Sequence, residues 1–158
     1  MKSHRLKNLL QTAERHTRRG RLGRAVTFYR KVLATASLGD AEWELAHLRL
    51  GDLHIGLQQF EYAIVHLLRA RRLAPAEPEY AYLLGRAFRL SGRLTAARQH
   101  LFDALFDYRW KADVYYEMAL CYPDPQSRGL GLKLCRLALA YDPARPDLLE
   151  LYRRLADA

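Results

Sequence analysis

His47 and His54 stand seven residues apart, which puts both rings on one face of a helix, and His16 repeats the position of His54 earlier in the chain. Histidines at helical spacing are a metal-ligand pattern. Zinc, however, needs about four converging ligands, and no acid or thiol completes the set, so no metal site and no cofactor is expected. Cys121 and Cys135 are the only thiols and fall at apolar-face positions. They read as small buried hydrophobes rather than as a disulfide. The chain has no glycine-rich phosphate loop, no serine nucleophile elbow and no pair of catalytic carboxylates. No catalytic residue is assigned, and an enzyme is not expected.

The arginines are a different matter. The chain carries a net charge of +9. Residues 1–40 hold ten Lys/Arg against two Asp/Glu, whereas residues 41–158 are nearly balanced. Arg15, Arg18, Arg19, Arg21 and Arg24 cluster within that first segment. Such a cluster meets an acidic protein, a nucleic-acid backbone or an anionic membrane. Nucleic acid is disfavoured because few aromatics interleave with the arginines to stack on bases.

The elements that carry these residues follow from a repeat. Ala63, Ala97 and Gly131 recur at 34 residues, and Ala25 precedes Ala63 by 38. Seven residues after each come Val32, Ala70, Ala104 and Ala138; twelve before come Ala13, Gly51, Gly85 and Ala119. A period of this length means stacked helical hairpins. No alternating strand pattern appears. The repeats run over 6–39, 44–77, 78–111 and 112–145, each a helix A, a turn and a helix B. Asp40–Trp43 is an insertion, and 146–158 form a capping helix with Leu148, Leu149, Tyr152 and Leu155 as its apolar stripe. Gly20 and Gly92 mark turns, Gly56 falls two residues early, and Pro123 and Pro125 shorten helix A of the fourth repeat. Pro75 and Pro143 end helix B. Small residues are needed where antiparallel helices cross closely, and the first-helix and second-helix small positions are expected to face each other.

Repeat two supplies Leu50-Gly51, Ala63, Ala70 and Pro75; repeat three Leu84-Gly85, Phe88, Gly92, Ala97 and Ala104; repeat four Tyr115, Ala119, Tyr122, Ala138 and Pro143. This pattern resembles the tetratricopeptide repeat (TPR), over about 140 residues. The resemblance implies one all-α domain over 1–158, a right-handed superhelical α-solenoid of antiparallel hairpins. It also implies a concave groove lined by the A helices. In the first repeat the groove positions are Lys7, Leu10, Gln11, Glu14, Thr17 and Arg18. The central groove residues are Arg49, Asp52, Tyr82, Arg86, Arg89, Tyr116 and Glu117, with Tyr82 exposed beside arginines, a hot-spot pairing. Replacing Tyr82 or Arg86 by alanine is therefore expected to weaken binding with little loss of stability.

The family's clamp for heat-shock-protein tails is missing, because Leu48, Asp52, Leu83, Asp113 and Glu117 stand where Lys, Asn, Asn, Lys and Arg would be required. The expected function is a non-enzymatic protein-interaction adaptor or scaffold of bacterial style. It would hold an acidic and apolar segment of another protein and dock an acidic surface through its basic end. A small chaperone for a secreted or assembling protein, and a nucleic-acid-associated protein, are the alternatives. A homodimer is compatible with the sequence. No secretory leader or membrane span is expected, which suits the cytoplasm.

Overall fold

The computed structural model describes residues 2–107 and 110–157. Among the described residues it is helical with no strand. The helices are α1 (Lys2–Arg18), α2 (Leu22–Thr35), α3 (Ala41–Gly56), α4 (Phe60–Arg71), α5 (Pro78–Leu90), α6 (Leu94–Ala104), α7 (Lys111–Ala119), α8 (Arg128–Tyr141) and α9 (Pro146–Asp157). They alternate as the A and B helices of the four repeats, followed by the cap. No helix is long and apolar enough to cross a membrane among the described residues. The chain divides into two compact units, Met1–Tyr80 and Ala81–Ala158.

In the first unit, Leu6, Leu10, Ala13, Ala25, Val26, Tyr29, Val32, Ala46, Leu50 and Leu53 form one buried cluster. In the second, Ala119, Cys135, Ala138, Leu148 and Leu151 form another. Leu151 was not part of the apolar stripe expected for α9. It is buried because Leu148, Leu151 and Leu155 follow the i, i+3, i+7 face.

The small positions give the close crossings the repeat demands. A Cβ added at Gly51 would lie 2.4 Å from Leu67 Cγ, and one at Gly85 would lie 2.5 Å from Leu101 Cγ. The glycines of the A helices thus seat leucines of the B helices four positions beyond the expected small residue. In the fourth repeat the small positions meet directly: a Cβ on Gly131 would approach the Ala119 carbonyl at 3.6 Å.

The turns follow a shared rule with an exception. Gly20 and Gly92 adopt φ +67° and +81°, the left-handed region glycine tolerates. At the equivalent place in the second repeat the residue is Gln58, held at φ 58°. Gly56 is the last residue of α3 instead and leaves that job to a side-chain-bearing residue. Of the Asp40–Trp43 insertion, Asp40 precedes α3 in extended backbone and the other three residues form its first turn; α3 is the longest of the four A helices after α1. The two prolines leave α7 nine residues long.

Candidate partner-binding surfaces

In the first unit, α1 and α3 present the groove positions of the first two repeats, and α2 lies beneath. A cavity of about 250 Å³ opens there, lined by Glu14, Thr17, Arg18, Tyr29, Arg49 and Asp52. Five of these six are positions assigned to the groove from sequence. Glu14 and Arg18 sit one turn apart on α1; Arg49 and Asp52 sit one turn apart on α3. Arg49 Nη1 lies 3.6 Å from Glu79, a loose pair at the edge. Glu14, Arg18 and Asp52 have no ion pair among the described residues.

The floor is Tyr29, at 1 % exposure. Its ring fills the space between the helices, but its hydroxyl oxygen is buried without a hydrogen-bond partner among the described residues. Thr17 stands beside it: the Thr17 hydroxyl donates to the Ala13 carbonyl at 3.1 Å, and its polar influence on the phenol is weaker than that of burial. Burial pushes the Tyr29 phenol above its ordinary range, so it stays neutral. A larger hollow, about 570 Å³, lies on the opposite face of α1 beside Lys2, His4, Arg5 and Leu9. None of its lining residues carries a buried unpartnered polar atom among those described.

The basic cluster is fully solvated. Arg15, Arg18, Arg19, Arg21 and Arg24 are all exposed, and none has an ion pair among the described residues. Burial and then the charges of Arg24, Arg21, Arg19 and Arg15 lower the pKa of His16. His16 stacks on Phe28 at 5.3 Å, and Lys31 lies over the same ring at 4.8 Å. Phe28, an aromatic near the cluster, thus already carries two ring contacts.

The second unit uses the same repeat positions differently. Tyr82 is not exposed as expected; at 8 % exposure it lies under Trp110, with ring centroids 5.1 Å apart. Repeat position alone put Tyr82 on the groove, and nothing in the spacing shows Trp110 folding over it. Tyr82→Ala therefore removes a packed ring, and the expectation of a stability-neutral change does not hold. Glu117 is buried, and it pairs with Arg86 at 3.1 Å and Arg89 at 2.5 Å. Its paired arginines compensate the cost of burying that carboxylate. Tyr116 lies beneath Arg145, 4.8 Å from the ring centroid. Arg145 in turn bonds Asp113 at 2.6 Å and Asp147 at 2.8 Å.

The histidines converge more than the sequence revealed. His66, which had not been singled out, comes from α4 to meet both α3 histidines. Its Nδ1 is 2.7 Å from His47 Nδ1, and its ring stacks on His54 at 5.5 Å. Trp43 packs edge-on against His47 at 4.0 Å. His54 Nδ1 bonds Gln59 at 2.7 Å, while its Nε2 is buried and has no hydrogen-bond partner among the described residues. Burial lowers His47 to about 4; burial, then the neighbouring His47 and His54, lower His66 to about 4. No group of three or more His, Cys, Asp or Glu among the described residues has metal-binding geometry. The signal for His66 was its place on helix B, one residue before the Leu67 that seats on Gly51. Cys121 and Cys135 are both buried free thiols, raised by burial to about 11.

No protein-family model matches the sequence, and no curated protein matches it. Solved structures do match the fold. A double mutant of MamA from RS-1 superposes with a TM-score of 0.82 over 96% of this chain and 83% of its own, at 16% identity. YrrB, described as a TPR protein with an unusual peptide-binding site, gives 0.73 over 94% of this chain and 75% of its own, at 17% identity. The first TPR of Spaghetti (RPAP3), solved bound to the HSP90 peptide SRMEEVD, gives 0.67 over 75% of this chain and 94% of its own, at 14% identity. The chain has the TPR fold, an all-α solenoid of helix hairpins.

Proposed function

We propose that this protein is a non-enzymatic interaction adaptor that holds an extended segment of another protein against its A helices. The observation that carries this reading is the polar cavity of the first unit, walled almost entirely by groove positions. Isolated charges lining a concave site, left without internal partners, serve a ligand better than they serve the fold. The neighbours of the same fold support the class, since YrrB has a peptide-binding site and the Spaghetti domain holds a peptide.

Arg49 and Asp52 contact the segment in the first unit. In the second, the solvent-facing edges of Arg86, Arg89 and Tyr116 do so, with Tyr82 and Glu117 holding them in position. A heat-shock tail is not the ligand, because Leu48 and Asp52 stand where the clamp needs Lys and Asn. The exposed arginines Arg15, Arg19, Arg21 and Arg24 dock an acidic protein surface. Phe28 is already engaged by His16 and Lys31, and few aromatics interleave with the arginines to stack on bases, which argues against nucleic acid.

The test is affinity capture from native lysate with three versions of the chain: unaltered, Arg18→Ala/Asp52→Ala, and Arg15→Ala/Arg19→Ala/Arg21→Ala/Arg24→Ala. A defined protein lost with Arg18→Ala/Asp52→Ala, and resistant to nuclease, supports the groove reading. Partners that vanish on nuclease treatment, or are lost only with the four-arginine variant, would move the function to the basic hairpin.

A further inference from the structure

The cavity floored by Tyr29 has a chemistry more specific than a generic groove, and its assignment rests on the proposed groove function. Its walls carry two cations, Arg18 and Arg49, and two anions, Glu14 and Asp52, so their formal charges cancel. A ligand carboxylate there would face two carboxylates; a ligand cation would face two guanidinium groups. An apolar side chain would strip water from all four and leave the Tyr29 hydroxyl unpaired, which is costly. One common side-chain group matches both signs without adding charge. A primary carboxamide offers one carbonyl acceptor and an amino group with two donors.

From this we infer that the cavity is a socket for an asparagine or glutamine side chain of the partner segment. The carbonyl oxygen accepts from the Tyr29 hydroxyl and an arginine, and the amino group donates to Glu14 or Asp52. Three independent features converge on this assignment. The Tyr29 hydroxyl is buried and without a partner. Glu14, Arg18 and Asp52 have no ion pair among the described residues. The cavity, at about 250 Å³, equals roughly eight waters at bulk density, room for one polar side chain with its flanking backbone.

Tyr29→Phe separates a binding role from a structural one. The substitution keeps the packed ring and deletes a hydroxyl that the fold leaves unsatisfied. If that hydroxyl serves a ligand, the variant melts at the same temperature or slightly higher and binds more weakly. The probes are capped pentapeptides with glutamine, glutamate, lysine or leucine between glycines, titrated into the full chain while backbone amide shifts are followed by NMR. The expected result is that the glutamine peptide shifts the amides around Glu14, Thr17, Tyr29 and Asp52. It should bind at least about fivefold more tightly than the other three, and weaken roughly three- to tenfold in Tyr29→Phe.

Preference for the glutamate, lysine or leucine peptide would overturn the assignment, as would no site-specific shift with any peptide. A Tyr29→Phe variant that loses stability with unchanged binding would overturn it too. A captured protein lost with Arg18→Ala/Asp52→Ala but indifferent to Tyr29→Phe would sink the socket and leave the groove reading standing. Glutamine binding at Tyr29 with capture insensitive to Arg18 and Asp52 would do the reverse.

Discussion

The two units place the same repeat positions on their A helices and employ them in opposite ways. In the second, groove positions are tied into the fold: Glu117 holds Arg86 and Arg89, Arg145 holds Asp113, and Trp110 covers Tyr82. In the first, Glu14, Arg18 and Asp52 stand unpaired around a cavity whose buried hydroxyl bonds nothing among the described residues. The difference teaches that a repeat position fixes where a side chain points, while its neighbours decide whether it is free to bind. Residues held by internal ion pairs give rigidity; unpaired ones give a site.

The sharpest way to break this comparison is to truncate one groove residue from each side. Tyr82→Ala should cost about 3 kcal/mol by urea denaturation, as expected for a buried aromatic, whereas Asp52→Ala should change stability by less than about 0.5 kcal/mol. Equal costs would mean that the second unit is no more committed than the first.

Acid should separate the units almost as strongly. His47 and His66 both belong to the first unit and sit near 4, below the ordinary 6.5 of the unfolded chain. Below about 6.5 the unfolded state therefore binds more protons than the folded one. Stability is full above that pH and is lost as pH falls toward 4, on the order of 3 kcal/mol for each histidine. Arg69 and Arg30, which also lower His66, deepen the penalty for charging it. Each unit carries one tryptophan, Trp43 against His47 and Trp110 against Tyr82. In Trp110→Phe, Trp43 fluorescence should report unfolding at a lower urea concentration at pH 4.5 than at pH 7. In Trp43→Phe, the Trp110 signal should move less. Identical shifts would remove the histidine cluster as the cause.

Glu117→Ala comes next. Removing the buried acid leaves two neighbouring guanidinium groups unpaired, and about 2 kcal/mol should be lost. Adding salt should recover part of that loss by screening the arginines.

Finer contrasts lie at the helix crossings and turns. Gly51→Ala pushes a methyl into Leu67 and should cost about 1–2 kcal/mol. Gln58→Gly relieves the left-handed turn and should raise stability by about 1 kcal/mol, read as a higher melting temperature. The smallest expected effect is Gly23→Ala on exposed α2, where the new methyl meets nothing within 4 Å. It should gain roughly 0.5 kcal/mol from helix propensity in the same melt.

The sequence showed the helices, their pairing and most of their ends, because small residues at a fixed period leave few other arrangements. It also marked Glu14, Thr17, Arg18, Arg49 and Asp52 as groove positions. It did not show that Tyr29, a core residue by repeat position, leaves its hydroxyl stranded beneath them. That depends on the side-chain geometry beneath the groove, which no spacing encodes. Likewise Tyr82 and Tyr116 looked alike from their repeat positions. Only the contacts of Trp110 and Arg145 reveal what covers each ring, since those partners lie on the inter-repeat turn and on the segment before α9.

The seating of Leu67 on Gly51 and of Leu101 on Gly85 reaches beyond stability. At each crossing one residue is the absence that the other fills. A lineage changing the glycine first would pass through an overcrowded helix pair; one shrinking the leucine first would pass through a hollow one. The two sites in each hairpin should therefore drift together, and descendants of this chain would carry matched exchanges, such as alanine opposite a smaller side chain, more often than either change alone. By repeat position the fourth repeat carries Ala119 and Cys135 where the second and third carry the glycine and the leucine, and both lie in one buried cluster.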